Sequence, residues 1–381
     1  MKIAQVTPLW ERVPPLAYGG TEMVVSLLTE ELTRRGHQVT LFASGDSQTQ
    51  SRLVPGCHRA LRPLGVLPLE YASYEQRQLE TVFRAVGEFD IIHSHMDVAA
   101  LPYAHLSPTP VVHTLHGALT PTFEKIFRQY RRQNLVTVSR SQQRPEVGLN
   151  YVAAVYNAIA VDQFDFYPLP QEPPYLAYLG RMSEEKGPHL AIEIAKRSGW
   201  RLKMAGKIGF EDRAFFDHGV APLIDGQQIE FLGEATQSQK KALMGHATAT
   251  LFPITWPEPF GLVMAESMAS GTPVIALAMG AAPEVVVDGK TGFLCHSVDD
   301  CIDAVAQVHR LSRRACREHV AVSFNVGRMV DGYEAVYRQI VGEGQSLVGG
   351  DRGHLAPEHT DARPLAPQPV QPQRADLIET V

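Results

Sequence analysis

The chain predicts an α/β protein of two Rossmann-like parallel-sheet domains facing a central cleft. Three observations carry that expectation. Short apolar runs alternate with helical patterns, the signature of a parallel sheet covered on both faces. The alternation breaks once, over Ala160–Pro174, where Pro168, Pro170, Pro173 and Pro174 read as a linker, and then restarts. Nearly every unusual residue lies just past the end of a predicted strand, where open α/β sheets bind their ligands.

Lys2–Thr7 reads as the first strand. Thr21–Arg35 follows as a helix, with Met23, Val24, Leu27, Leu28 and Leu32 on one face and Gly36 as its stop. Further strands are predicted at Gln38–Ala43, Asp90–His93, Val111–Leu115 and Val136–Ser139. After the linker come strands Tyr175–Leu179, Leu202–Ala205, Ile229–Leu232, Thr248–Phe252 and Pro273–Ala276. Helices are expected at His189–Arg197, Ser238–Gly245 and Leu262–Ala269. Arg328–Ile340 reads as a last helix, striped by Met329, Tyr333, Val336, Tyr337 and Ile340. The expected division is 1–160 as a first domain, 161–325 as a second and 326–342 as the closing helix. The remainder, 343–381, is rich in Gly, Pro and Gln, and is expected to be disordered.

The 381 residues suffice for two domains, and 44% apolar with 20% charged content reads as globular. A net charge of -6 argues against a general nucleic-acid binder. Cys57, Cys295, Cys301 and Cys316 form no C-x-x-C pair and fit reduced thiols in a cytoplasmic protein. No apolar run approaches the roughly 20 residues of a membrane helix, so membrane contact is expected to be peripheral at most.

The most informative stretch is Trp256 to Glu266. Glu258 and Glu266 bracket a Phe260-Gly261-Leu262 turn that leads into an apolar helix. A helix start offers free N–H groups to an anion, and carboxylates accept hydrogen bonds from hydroxyls. Glu266 sits among Val263, Met264, Ala265 and Met268, so a specific partner is expected for it. Gly180 to Gly187 carries Arg181 and Lys186 on one loop, a fork and a point charge suited to a diphosphate. The plain alternative is a solvated loop in which Lys186 and Glu185 pair. Gly19 and Gly20, between the first strand and first helix, permit close backbone approach. They are not the G-x-G-x-x-G fingerprint, and Gly289-Lys290-Thr291 lacks the first glycine of a P-loop.

His93, His95, His113 and His116 crowd two strand ends without the companions of a zinc site. His116, beside Gly117, is the candidate for a functional group, whereas His93 and His113 read as ordinary satisfied strand histidines. Phe123–Arg132 is basic and aromatic. With Lys125, Arg128 and Arg132 on one helical face it could touch anionic lipid, although a solvated face is the commoner meaning of such a run.

Taken in order, these pieces resemble family 4 glycosyltransferases of the GT-B fold. The resemblance runs through Gly19-Gly20-Thr21-Glu22, Asp90 to His95, His113 to Gly117, Val136 to Ser139, Asn157-Ala158-Ile159 and Gly180 to Gly187. It continues through Phe231-Leu232-Gly233, the glutamate pair, Ser270 to Ile275, Pro283 to Val286 and Asp288 to Phe293. It implies retaining transfer of a hexose from a nucleotide-diphosphate sugar, UDP ahead of GDP or ADP, to a glycan, lipid-linked or small-molecule acceptor. No cofactor and no bound metal are expected. By resemblance, Arg181 and Lys186 bind the diphosphate, Glu258 the sugar hydroxyls and Glu266 the ribose. Backbone amides around Phe260, Gly261 and Leu262 hold sugar and phosphate, Gly19 and Gly20 border the donor phosphates, and His116 lies near the reacting carbon. A closing helix that returns to the first domain also belongs to that fold. The chain departs from the usual pattern at Ala158-Ile159-Ala160 and at Ala281-Ala282. The alternatives are a GT-B-like nucleotide-sugar epimerase, a non-catalytic sugar-nucleotide binding module and, more distantly, an NAD-dependent dehydrogenase.

Overall fold

The structure is a computed structural model that describes residues 1–349; residues 350–381, most of the expected disordered tail, lie outside it. Two sheets form, and every strand pairing in them is parallel. The first comprises β1 (Lys2–Val6), β2 (Gln38–Ser44), β3 (Arg52–Cys57), β4 (Ile91–Ser94), β5 (Val111–Leu115), β6 (Asn134–Thr137) and β7 (Tyr151–Ala154). Their order is β3-β2-β1-β4-β5-β6-β7. The second comprises β8 (Leu176–Leu179), β9 (Leu202–Ala205), β10 (Ile229–Phe231), β11 (Ala249–Phe252), β12 (Val274–Leu277) and β13 (Gly292–Cys295), in the order β10-β9-β8-β11-β12-β13. The strand order reverses between β1 and β4 and again between β8 and β11. The loops leaving those strands splay apart there and open a crevice.

The strands absent from the sequence-based expectation, β3, β7 and β13, are all edge strands. An edge is covered less completely, so its sequence need not be a continuous apolar run; β3 even contains Pro55 and Gly56. Helices Pro68–Arg84, Val298–Gln307 and Arg313–Ser323 also form without having been predicted. The second is started by a capping box, in which the Ser297 hydroxyl accepts from Asp300 N and the Asp300 carboxylate accepts from Ser297 N. The strand predicted at Val136–Ser139 begins and ends two residues earlier, which leaves Val138 and Ser139 in the loop that faces the second domain.

The last helix, Val326–Gly349, runs seven residues past the predicted boundary at 342. It packs on the first domain, not the second. Met329, Val330, Tyr333, Val336, Tyr337 and Ile340 are buried with Ile3, Val24, Leu28, Leu32 and Ile91. Arg35 holds Asp331 at 2.7 Å and Glu334 at 3.2 Å at the rim of that contact. The chain therefore crosses between domains twice, and the crossings adjoin: Ile159 N donates to Phe324 O at 2.8 Å beside an isolated bridge between Ile159 and Asn325. Among the described residues no helix is long and apolar enough to cross a membrane.

Candidate active site

Both switch points open into one cleft of about 550 Å³ between the domains, a size typical of small-ligand sites. Gly19, Gly20, His116, Arg181, Lys186, Glu258, Phe260, Gly261, Leu262 and Glu266 all line it. The loop after β8 supplies Arg181 and Lys186, and the loop after β11 supplies Glu258. The first domain contributes the loop after β1 and the end of β5.

Two helix N-termini meet at the floor. Helix Leu262–Ala269 starts from Gly261, and helix Gly20–Arg34 from Gly19; neither start has a side-chain cap. Their first N–H groups are therefore available to an anion, aided by two helix dipoles. Gly261 has φ +79°, and a Cβ there would lie 2.7 Å from both Phe252 and Met264, so glycine is required for this turn. A Cβ on Gly20 would come within 3.3 Å of Leu262 across the cleft, so the glycine lets the two helix starts approach.

The cations are already engaged. Arg181 pairs with Glu185, and with Glu211 and Asp212 at 3.2 and 3.4 Å. Lys186 pairs with Glu258 rather than with its neighbour Glu185. The Tyr178 hydroxyl lies 3.2 Å from the Arg181 carbonyl and 3.1 Å from that of Lys186, fixing the loop from beneath. Glu258 also accepts from Trp256 Nε1 at 2.6 Å, and the Lys186 ammonium stands 4.8 Å from the Trp256 ring centroid. Glu266 is 7% exposed and has the partner its burial requires: Lys240 Nζ, at 2.5 Å. Lys240 was missed in the sequence, because between Gln239 and Lys241 on the helix Gln237–His246 nothing distinguishes it from a solvated lysine.

On the opposite wall, His116 Nε2 lies 2.9 Å from Nδ1 of buried His95. Burial holds the His116 imidazole down to about 4, and His113 likewise, while His93 and His95 fall well below the usual range. All four are neutral at pH 7. Asp97, in a left-handed backbone conformation at φ +43°, accepts from the backbone of His116 and Gly117, and burial lifts its carboxyl to about 6. His93 is satisfied at both nitrogens, but Nδ1 of His113 is buried without a partner, so the expectation of two ordinary strand histidines holds for only one of them. Asn157, also in the cleft wall, has a buried Oδ1 without a partner.

The basic stretch at Phe123–Arg132 lies outside the cleft lining. Its helix, Pro121–Gln129, ends before Arg132, so Lys125, Arg128 and Arg132 do not share a helical face. Its aromatic side turns inward, with Phe127 buried against Leu101, Leu115 and Leu135, and Arg128 is taken up by Glu124 at 2.8 Å. Among the described residues no three His, Cys, Asp or Glu side chains group as metal ligands.

The family model for Glycosyltransferase Family 4 matches residues 18–162, and that for Glycosyl transferases group 1 matches 162–319, so together they tile both domains and the cleft. The chain is 26% identical over 349 residues to D-inositol 3-phosphate glycosyltransferase of Corynebacterium aurimucosum, covering 76% of this chain and 82% of the relative. It is 27% identical over 327 residues to phosphatidyl-myo-inositol mannosyltransferase of Mycobacterium tuberculosis, covering 77% and 82%. Among solved structures, sucrose-phosphate synthase from Thermosynechococcus elongatus superposes with a TM-score of 0.73 at 18% identity, covering 90% of this chain and 100% of that one. Anabaena HepE in complex with UDP gives 0.67 at 18%, covering 89% and 100%.

Proposed function

The chain belongs to the family 4 glycosyltransferases and has the GT-B fold, and on that premise we propose that it moves a hexose from a nucleotide-diphosphate sugar to an acceptor hydroxyl, with retention at the anomeric carbon. The observation that carries this reading is the composition of one cleft. Two cations and two uncapped helix starts converge there on a volume suited to a diphosphate, with a carboxylate on either side.

In this reading Arg181 and Lys186 bind the diphosphate and stabilise the charge that grows on it as the sugar leaves, an effect largest where the donors are preorganised. Their carboxylate partners hold them in place before the donor arrives. The amides from Gly261 onward, with the loop at Gly19 and Gly20, take the remaining phosphate oxygens and the sugar without calling on a metal. Glu266, held by Lys240, accepts from the ribose hydroxyls. Glu258, oriented by Trp256 and Lys186, accepts from hydroxyls of the transferred sugar. His116 is neutral at physiological pH, so it accepts or donates a hydrogen bond near the reacting carbon and is no general acid there. The departing phosphate oxygen takes the acceptor's proton on the same face.

UDP is favoured as the nucleotide because solved HepE structures hold UDP, glucose and UDP-glucose. Relatives named for inositol phosphate and phosphatidyl-inositol point to a polyol, free or lipid-linked, as one class of acceptor. Thermal-shift titration with UDP, GDP and ADP tests the donor side: a true ligand at 100 times its Kd adds about 2.7 kcal/mol of stability. NMR of the product made from an α-linked donor tests retention, since a β-linked product would overturn it.

A further inference from the structure

Beneath His116 runs a continuous chain of buried polar side chains. His95 Nδ1 lies 2.9 Å from His116 Nε2, and His95 Nε2 lies 2.8 Å from Gln5 Oε1. Gln5 Nε2 donates to the Tyr337 hydroxyl at 3.1 Å, which lies 2.6 Å from His93 Nδ1. His93 Nε2 then lies 2.7 Å from Thr114 Oγ1, itself 3.0 Å from the Tyr333 hydroxyl. Gln5, His93, Thr114, Tyr333 and Tyr337 are 0% exposed and His95 1%, so no group in this chain can exchange its partner for water.

One amide sets the direction of every bond from His116 to Thr114. The oxygen of Gln5 only accepts, so His95 carries its proton on Nε2. Its Nδ1 is then a lone pair, and His116 must donate from Nε2. At the other end the Gln5 amino group donates to Tyr337, whose hydroxyl donates to His93 Nδ1, and His93 donates from Nε2 to Thr114. A turned Gln5 amide would reverse the whole series and move the proton of His116 to Nδ1, so the tautomer of a cleft residue is decided by a side chain two bonds behind it.

We infer that Gln5 and His95 are positioning residues that fix His116 as the Nε2–H tautomer, so that Nδ1 presents a lone pair to the cleft and accepts a hydrogen bond from a substrate hydroxyl. The ligand is a polyol: the transferred sugar or the acceptor. This rests on the reading of the cleft given above. It also draws the last helix into the site, because Tyr337, a residue of Val326–Gly349, is the partner that holds the Gln5 amide.

The test has two arms. Long-range nitrogen–proton NMR of the full chain labelled at histidine, with His116 assigned from His116→Ala, reads the tautomer directly. Protonated Nε2 with an unprotonated Nδ1 is expected, and a proton on Nδ1 overturns the inference whatever the enzyme's substrate. The second arm compares His95→Leu, which removes the acceptor, with His95→Asn, whose Oδ1 can replace Nδ1. His95→Leu should give a tautomer mixture at His116 and lower kcat for UDP-glucose hydrolysis about tenfold or more, at unchanged UDP affinity. His95→Asn should stay within about threefold of wild type. Equal losses in both variants, or a wild-type kcat in a folded His95→Leu, overturn the positioning role. Failure of wild type to hydrolyse UDP-glucose would count against the donor assignment and leave the NMR result standing.

Discussion

Replacing Glu258 by Gln should tighten the binding of free UDP while it damages transfer. In the free protein Lys186 donates to Glu258, and the two side chains are only 20% and 14% exposed. A diphosphate that reaches the same ammonium must approach the Glu258 carboxylate across it. Two N–O contacts of about 2.8 Å put the two anions roughly 5.5 Å apart. At an effective dielectric of about 20 that is a repulsion of about 3 kcal/mol per pair of unit charges. Partial solvent access reduces it to about 1–2 kcal/mol, which corresponds to roughly five- to thirtyfold in affinity. Gln keeps the shape and can still accept from Trp256, so the loop has no reason to move. The variant should also be less stable without ligand, because Lys186 loses its partner, and should regain more stability on adding UDP. Calorimetry with UDP and with UDP-glucose, beside turnover, decides the matter. If Glu258→Gln binds UDP as wild type does, or more weakly, then Glu258 and the diphosphate do not share Lys186. The placement of the sugar over Glu258 would fail with it.

Arg181→Ala and Lys186→Ala should each weaken UDP by about 1.5–3 kcal/mol while leaving uridine, which has no phosphate, nearly unaffected; equal loss of uridine would remove the diphosphate assignment. Glu266→Ala should weaken UDP as well as UDP-glucose by about 1–3 kcal/mol, whereas His116→Ala should keep UDP affinity and lose turnover, and the reverse pattern in calorimetry would show the roles misassigned. Glu22, 3% exposed, has its carboxyl pushed up to about 7 by burial, above its ordinary 4.5. The folded state therefore binds the extra proton between those values, and stability is lost as pH rises through about 7. Glu22→Gln should be more stable than wild type by up to about 3 kcal/mol at pH 8.5, and the gain should vanish near pH 4.5; a melting-temperature difference that does not change with pH would refute this. Glu284 of the second domain accepts from Arg140 N, Ser141 N and the Tyr156 hydroxyl of the first. Glu284→Ala should therefore give a larger radius in small-angle scattering, with UDP closing wild type about the crossings at Ala160–Pro174 and Ser323–Val326; identical radii for both proteins with and without UDP would exclude such a latch and hinge.

The legible parts of this chain share a physical cause. Interior strands such as β5 and β9 are largely buried, so apolar residues dominate them despite His113, Thr114 and Lys203, and the predicted bounds match the observed ones. The glycines, the Arg181–Lys186 loop and the two glutamates were legible because each lies past such a strand, where a folding requirement does not explain it. Edge strands β3, β7 and β13 left no comparable signal. Lys240 and Gln5 were illegible for another reason: one resembles a surface lysine and the other a polar residue inside a strand, and each acquires meaning only from its partner.

By itself the sequence determined the two-domain parallel architecture, from its periodicity, and picked out ten of the residues that line the cleft, from short motifs at strand ends and the family resemblance they carry. Only the tertiary structure decided which charges pair. Lys186 reaches Glu258, 72 positions away, and not its neighbour Glu185; Lys240 reaches Glu266; and Tyr337 reaches across 332 positions to Gln5. Such pairings depend on side-chain direction and desolvation at contacts that form only when two sheets and a returning helix are in place, and neither quantity is encoded in local spacing.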